Sequence, residues 1–119
     1  MTRDHVLVID DDPDFQDLAA VILDGTGLVC LAAGSCDEAL PILERERERM
    51  RAVLLDYFMP GLPPCACARA VRAAVDPSVS VILVSAAVDI AERAAELGLT
   101  RFLAKPFEMS QLQEAVLGP

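Results

Sequence analysis

Two kinds of hydrophobic segment alternate along this chain. Short, continuous apolar runs are typical of strands that are buried on both faces of a parallel sheet. Such runs occupy residues 5–9, 28–33, 52–55, 79–84 and 101–104. The segments between them place apolar residues three and four positions apart, which is the spacing of a helix with one buried face. The pattern therefore predicts five strands that alternate with five helices.

The helices are delimited by residues that start or stop helical structure. The first follows Pro13 and stops at Gly25 and Gly27, and its predicted buried positions are Phe15, Leu18, Ala19 and Ile22. The second opens with a capping box from Ser35 to Glu38, and Pro41, one turn inside it, predicts a kink or a late start. The others are predicted at 66–75, 88–97 and 109–117, with a proline-rich loop before the third.

This alternation indicates an α/β fold with a doubly wound, five-stranded parallel sheet and helices on both faces. The usual strand order for this number of elements is 2-1-3-4-5, the flavodoxin-like arrangement. The length of 119 residues is sufficient for one hydrophobic core and too short for two. We therefore predict a single domain over residues 1–119.

Charge and hydropathy exclude two classes of partner. The net charge of −9 would repel the phosphate backbone of a nucleic acid. No apolar run approaches the roughly 18 residues that a membrane-spanning helix needs, and the N-terminus lacks the pattern of a signal peptide. We therefore expect a cytoplasmic domain that binds neither nucleic acid nor membrane.

The four cysteines could form a metal site or disulfides, but their spacing favours neither. Cys65 and Cys67 are separated by one residue rather than the two of a zinc knuckle, and Cys30 and Cys36 are farther apart. The only histidine, His5, opens a strand. We expect small, reduced and mostly buried thiols.

Polar side chains with complementary chemistry follow four of the five predicted strands. Asp10, Asp11 and Asp12 follow the first strand, and Asp56 follows the third. Ser85 follows the fourth strand, and the pair Lys105-Pro106 follows the fifth. Nine of the ten basic residues are arginine, so the single lysine stands at one of these strand ends. Because the carboxyl ends of parallel strands meet at one edge of the sheet, we expect these groups to lie together.

This combination of groups predicts phosphoryl transfer to an aspartate. Two carboxylates about 4 Å apart repel by roughly 4 kcal/mol at an effective dielectric near 20, so an acidic cluster must bind a cation or retain a proton. Oxygen ligands alone favour Mg²⁺, which also accepts phosphate oxygens. A cation, the ammonium of Lys105 and the hydroxyl of Ser85 would neutralise a phosphoryl group on Asp56, the predicted nucleophile.

Four segments that carry these residues resemble response-regulator receiver domains of two-component systems. They are residues 6–15, 54–61, 81–86 and 102–107. The resemblance covers the whole chain, with the four motifs in order at the expected strand ends. It implies that Asp10 and Asp11 are the acidic pair, with Asp11 a direct ligand of Mg²⁺. Asp56 would be the phosphoacceptor, and the backbone carbonyl of Phe58 would complete the protein ligands of the metal.

The resemblance also implies a switch and a set of partners. Ser85 would be the switch hydroxyl, Lys105 would bind the phosphoryl group, and the peptide bond before Pro106 would be cis. Phe102 would turn inward on activation and change the face formed by the fourth helix, the fifth strand and the fifth helix. A sensor histidine kinase or a histidine phosphotransfer protein would supply the phosphoryl group. The changed face would control an output domain or bind a partner, with a second copy of the chain as one candidate. The domain would catalyse only its own phosphorylation and dephosphorylation.

Some positions depart from the usual receiver pattern. Residues 62–67 (Leu-Pro-Pro-Cys-Ala-Cys) replace the Asp-Gly pair and regular helix that commonly follow Met-Pro-Gly. Phe58 and Ala87, two residues beyond the phosphoacceptor and the switch hydroxyl, cannot hydrogen-bond a hydrolytic water. These two residues predict a phosphorylated state that decays slowly.

Two other functions are compatible with parts of the sequence. An Asp-x-Asp motif at Asp10 and Asp12 also occurs in haloacid-dehalogenase-like phosphatases, but that class needs acidic metal ligands after the fourth strand, where Ser85 and Ala86 stand. The other alternative is a receiver-like fold that only binds partners. Loss of Asp56, Asp11 or Lys105 would indicate that function, and all three are present.

Overall fold

Five strands and five helices alternate along the chain in a computed structural model that describes residues 2–118. The predicted domain of 1–119 also includes Met1 and Pro119, which lie outside the described residues. The elements are β1 (His5–Ile9), α1 (Pro13–Asp24), β2 (Val29–Ala33), α2 (Cys36–Arg45), β3 (Met50–Leu55), α3 (Pro64–Ala74), β4 (Ser80–Ser85), α4 (Ile90–Glu96), β5 (Arg101–Ala104) and α5 (Met109–Leu117).

The strands form one parallel sheet in the order β2-β1-β3-β4-β5, which confirms the predicted topology. Leu7 of β1 pairs with Leu31 on one side and with Val53 on the other, so β1 and β3 lie at the centre. Their side chains are almost entirely buried, because helices cover both faces. This burial explains why the strands are continuous apolar runs in the sequence.

Alternate residues of the central strands pack into two separate layers of the core. Leu7 and Ile9 contact the layer formed with α2, α3 and α4, whereas Val6 and Val8 face the layer formed with α1 and α5. Successive side chains of a strand point to opposite faces, which produces this division. With both faces filled, the polar residues that follow the strands are left at the sheet's edge.

The starts of α1 and α2 are set by capping side chains. The Asp12 carboxylate accepts a hydrogen bond from the backbone N–H of Asp14, with Pro13 in the first helical turn. The Ser35 hydroxyl accepts from the backbone N–H of Glu38. Of the two predicted effects of Pro41, a late start of α2 is wrong, because the helix begins directly after Ser35 and includes Pro41. A kink at Pro41 stays a prediction. The cap places this start, and the proline sits beyond the first turn.

The starts of two helices and one buried position differ from the prediction. The third helix begins at Pro64 rather than residue 66, and the fourth at Ile90 rather than residue 88. Proline is well tolerated in the first turn of a helix, where its missing N–H costs no hydrogen bond. Leu18 was expected to be buried but is 50% exposed, since Leu23 occupies the core beside Ile22 instead.

The prediction of four reduced thiols is wrong for two of the cysteines. Cys36, at the start of α2, forms a disulfide with Cys67 in the first turn of α3, across a Cα–Cα distance of 5.9 Å. Both are buried, Cys30 is a free half-buried thiol and Cys65 is free and exposed. The two bonded residues are distant in sequence and meet only because α2 and α3 pack side by side on one face of the sheet.

No helix between residues 2 and 118 has the length and apolar character that crossing a bilayer requires.

Candidate functional site

The predicted site residues converge at the carboxyl edge of the sheet. Backbone hydrogen bonds continue the strand pairing one step beyond the strands and hold the first polar residues in place. The N–H of Asp10 donates to the Ala33 carbonyl at 3.0 Å, and that of Asp56 donates to the Ile9 carbonyl at 3.0 Å. The Lys105 N–H donates to the Ser85 carbonyl at 2.9 Å. Each side chain therefore starts from a rigid backbone position.

Three carboxylates form the centre of this edge. Asp10, Asp11 and Asp56 each bring an oxygen to within 4.8 Å of the others. Asp10 is 2% exposed, Asp56 is half-buried and Asp11 is exposed. The cluster therefore has one buried side, and its open side faces solvent at Asp11.

The Asp10 carboxylate is held on both of its oxygens. One oxygen accepts the backbone N–H of Asp12 at 2.9 Å, and the other accepts the ammonium of Lys105 at 2.7 Å. The Gln16 side-chain amide donates to the Asp10 carbonyl at 2.6 Å. These bonds compensate for the burial of the charge and leave Asp11 and Asp56 with the more accessible oxygens.

Lys105 contacts an aromatic ring that the sequence did not assign to the site. Its Nζ atom lies 3.9 Å from the centroid of the Phe15 ring, and Phe107 packs edge-on against that ring at 6.0 Å. The ring face attracts the ammonium and restricts its position. From the sequence, Phe15 was predicted only as a buried residue of α1. Its place one turn after the acidic motif was the available signal for a contact with the site.

Burial raises the pKa of Asp56 above its usual value. The positive charge of Lys105 opposes this shift, and the negative charge of Asp10 adds to it. Both influences follow from the arrangement described above, in which one ammonium serves two neighbouring carboxylates. A further cation beside Asp56 would therefore favour its ionised, nucleophilic form.

The donor set fits a hard divalent cation. The three clustered groups offer only carboxylate oxygens, without an imidazole or a thiolate, and the exposed Asp11 leaves room for water ligands. Mg²⁺ prefers this chemistry and retains several waters in protein sites. The Phe58 side chain is 59% exposed, and the use of its carbonyl as a ligand stays a prediction.

The predicted switch residues Ser85 and Phe102 lie on the neighbouring strands β4 and β5. Ser85, the last residue of β4, is fully buried, and its hydroxyl accepts the backbone N–H of Ala87 at 3.4 Å. Phe102 of β5 is 46% exposed, so its ring is directed to solvent. The Lys105–Pro106 peptide bond is cis, which is the geometry that the resemblance implies. The hydroxyl is thus buried next to the cluster, while the aromatic ring is outside.

Comparison with known proteins identifies relatives over nearly the whole chain. A family model described as the response regulator receiver domain matches residues 6–117. The DNA-binding response regulator MtrA of Mycolicibacterium smegmatis is 30% identical over 92% of this chain and 47% of its own length. The sporulation initiation phosphotransferase F of Bacillus subtilis is 27% identical over 98% of this chain and 93% of its own length.

Solved structures share the fold. A response regulator protein from Burkholderia pseudomallei, determined with a phosphorylated aspartic acid, calcium ion and citrate, superimposes with a TM-score of 0.81 at 23% identity. The match covers 95% of this chain and 66% of that one, and at this identity it bears on the fold alone. The chain spans about half the length of several curated relatives that it matches.

Proposed function

Because this chain belongs to the response regulator receiver domain family, we propose that Asp56 accepts a phosphoryl group from a sensor histidine kinase or a histidine phosphotransfer protein. The observation that carries this proposal is the cluster of Asp10, Asp11 and Asp56 within 4.8 Å, with the Lys105 ammonium 2.7 Å from Asp10. The arrangement offers a nucleophilic carboxylate, ligands for a cation and a fixed positive charge. The reaction takes place in the cytoplasm.

Asp10, Asp11, Asp56 and the backbone carbonyl of Phe58 would hold Mg²⁺. The bound ion would supply positive charge for the phosphoryl oxygens and would offset the repulsion among the carboxylates. Lys105 is already oriented by Asp10 and by the Phe15 ring, so its ammonium needs little reorganisation to reach a phosphoryl oxygen.

The transfer is a displacement at phosphorus. A carboxylate oxygen of Asp56 forms the new P–O bond, and the P–N bond of the donor phosphohistidine breaks. The electron pair of that bond returns to the imidazole nitrogen of the donor. The product is an acyl phosphate on Asp56, so the domain catalyses only its own modification and the later hydrolysis of the acyl phosphate, in which water takes the phosphoryl group as inorganic phosphate and Asp56 is restored.

Phosphorylation is then transmitted through Ser85 and Phe102. A phosphoryl oxygen on Asp56 accepts a hydrogen bond from the Ser85 hydroxyl and draws that hydroxyl inward. This movement frees space into which the Phe102 ring, exposed in the unphosphorylated domain, turns. The face made of α4, β5 and α5 changes and controls an output domain or a partner, for which a second copy of this chain is a candidate. With a net charge of −9, this domain does not itself bind nucleic acid.

Mass spectrometry of the intact protein tests the proposal. Acetyl phosphate with Mg²⁺ should add one phosphoryl mass to the parent, and EDTA should abolish the addition. Asp56→Asn should remain unlabelled. Labelling that persists in Asp56→Asn but is lost in Asp10→Ala would favour the haloacid-dehalogenase-like alternative. No labelling of the parent would favour a domain that only binds partners.

The switch is tested by NMR with beryllofluoride as the phosphoryl analogue. Chemical shifts should change around Asp56 and also across residues 88–117, which include the proposed face. Changes confined to the neighbourhood of Asp56 would contradict the route through Ser85 and Phe102.

A further inference from the structure

One arginine joins the loop that follows β3 and the loop that follows β4. Arg93, in α4, stacks on the ring of Tyr57 with 5.2 Å between the guanidinium carbon and the ring centroid. Its Nη1 atom donates to the Tyr57 hydroxyl at 3.3 Å. Its Nε atom donates to the Asp89 carboxylate at 3.2 Å. We call the group of Tyr57, Asp89, Arg93 and Glu96 the Arg93 clamp.

The Arg93 clamp links the loop of the phosphoacceptor with the loop that follows the switch hydroxyl. Tyr57 directly follows the phosphoacceptor Asp56, on the loop that leads from β3 to α3. Asp89 ends the short loop that begins after Ser85 and leads to α4. Arg93 therefore connects a residue next to the phosphorylation site with a residue four positions beyond the switch hydroxyl. A shift of either loop changes the distances within the clamp.

The fourth helix is short and largely exposed, and besides the clamp its polar contacts include the Cys65 thiol, which donates to the Glu96 carbonyl at 3.7 Å. It has seven residues, Ile90–Glu96, and only Ile90 and Ala94 are buried. Asp89 stands at its N-cap position but makes no capping hydrogen bond, because its carboxylate faces Arg93 instead. Glu96 lies 3.6 Å from the Nη1 atom of Arg93 and accepts the Tyr57 hydroxyl at 3.5 Å. The clamp is thus a main polar connection between α4 and the loop of the phosphoacceptor.

We propose that the Arg93 clamp holds α4 against the loop of Asp56 in the unphosphorylated domain and so opposes activation. This inference rests on the proposed function. When Ser85 is drawn towards a phosphoryl group on Asp56, the chain from Ser85 to Asp89 follows it, and Arg93 must release Tyr57 or Asp89. Arg93 and Tyr57 are positioning residues in this scheme, because neither contacts the reacting atoms. Weakening the clamp shifts the unmodified population towards the activated conformation.

The rate of phosphorylation by acetyl phosphate measures this shift. Arg93→Gln should be phosphorylated faster than the parent, because the clamp is lost. The increase should be only about fivefold, since exposed ion pairs and a stacked arginine each contribute little free energy. Arg69→Gln is the matched control. Arg69 is an exposed arginine of α3, and its side chain has no hydrogen bond or ion pair to any other residue within 2–118. It undergoes the same charge change without affecting the clamp.

The control separates the clamp from simple electrostatics. Acetyl phosphate is an anion, so the loss of any arginine from a chain of charge −9 should slow its approach slightly. General electrostatics therefore predicts slower phosphorylation of both variants, whereas the clamp predicts faster phosphorylation of Arg93→Gln alone. Hydrogen exchange in residues 86–96 should also increase in Arg93→Gln and not in Arg69→Gln.

A double-mutant cycle tests whether Tyr57 and Arg93 act as a unit. Tyr57→Leu should also accelerate phosphorylation, and Tyr57→Leu combined with Arg93→Gln should be no faster than the faster single variant. Tyr57→Phe keeps the ring and should have a smaller effect, which provides a variant with minimal risk to folding. A parent that is phosphorylated at the same rate as Arg93→Gln and Tyr57→Phe would overturn the clamp. A parent that is never phosphorylated would overturn the proposed function itself.

Discussion

The effect of Asp11→Asn on the free energy of unfolding should change sign with Mg²⁺. The substitution should stabilise the protein in EDTA and destabilise it, relative to the parent, when Mg²⁺ is bound. In EDTA the acidic cluster has no cation, and the variant removes one of three charges that lie within 4.8 Å of one another. With saturating Mg²⁺ the same carboxylate is a proposed metal ligand, and its loss removes binding energy. The parent should therefore be the less stable protein without metal and the more stable one with it.

The geometry sets the size of both effects. Two unit charges 4.8 Å apart repel by about 3.5 kcal/mol at a dielectric of 20 and by about 0.9 kcal/mol in bulk water. Asp11 is exposed, and the Lys105 ammonium compensates Asp10, so we expect the lower part of this range. Asp11→Asn should gain about 1 kcal/mol in EDTA. Mg²⁺ at ten times its dissociation constant should stabilise the parent by about 1.4 kcal/mol.

Thermal denaturation followed by circular dichroism measures the reversal. A change of 1 kcal/mol corresponds to a shift of about 4 °C in the midpoint for a domain of this size. Asp17→Asn, which removes an exposed carboxylate of α1 outside the cluster, should leave the response to Mg²⁺ unchanged. Destabilisation of Asp11→Asn in EDTA would refute the proposed repulsion, and an equal rise of the Asp11→Asn and parent midpoints with Mg²⁺ would refute the role of Asp11 as a metal ligand.

Three further predictions concern Asp56, the lifetime of its phosphoryl group and the disulfide. Because burial raises the pKa of Asp56, the folded protein binds a proton on this carboxyl more tightly than the unfolded chain does. The resulting stabilisation is fully present below pH 3.8 and is lost as pH rises through the folded pKa. In EDTA, Asp56→Asn should therefore gain stability relative to the parent from about pH 4 upwards, and a difference independent of pH would refute this. Once the phosphodonor is removed, Phe58→Asn should lose its phosphoryl group faster than the parent, because an amide can orient the hydrolytic water, whereas Ala87→Gly should change the rate little; equal rates for Phe58→Asn and the parent would exclude this explanation. Reduction of the bond between Cys36 and Cys67 should lower the free energy of unfolding by about 3.7 kcal/mol, as expected from the loop entropy for a sequence separation of 31, and alkylation of all four cysteines in denaturant without reductant would show that the bond is absent.

The sequence was sufficient to predict the sheet and the cluster at its edge. Strands buried on both faces must be continuous apolar runs, and a parallel sheet must bring all of its carboxyl ends to one edge. Residues that directly follow a strand, such as Asp10, Asp56 and Ser85, inherit their positions from the backbone pairing. Their proximity therefore needs only the strand order, which the alternation of elements already restricted.

Only the tertiary structure decided which side chains meet across different elements. Phe15 stacks on Lys105, Cys36 bonds to Cys67, and Arg93 stacks on Tyr57. None of these pairs is related by a helical or strand period, because the partners belong to elements joined through the sheet rather than through local hydrogen bonds. Helix boundaries and the exposure of Leu18 have the same origin. A local pattern states which face of a helix is apolar, but the angle at which the helix packs on the sheet determines which of those residues the core has room to bury.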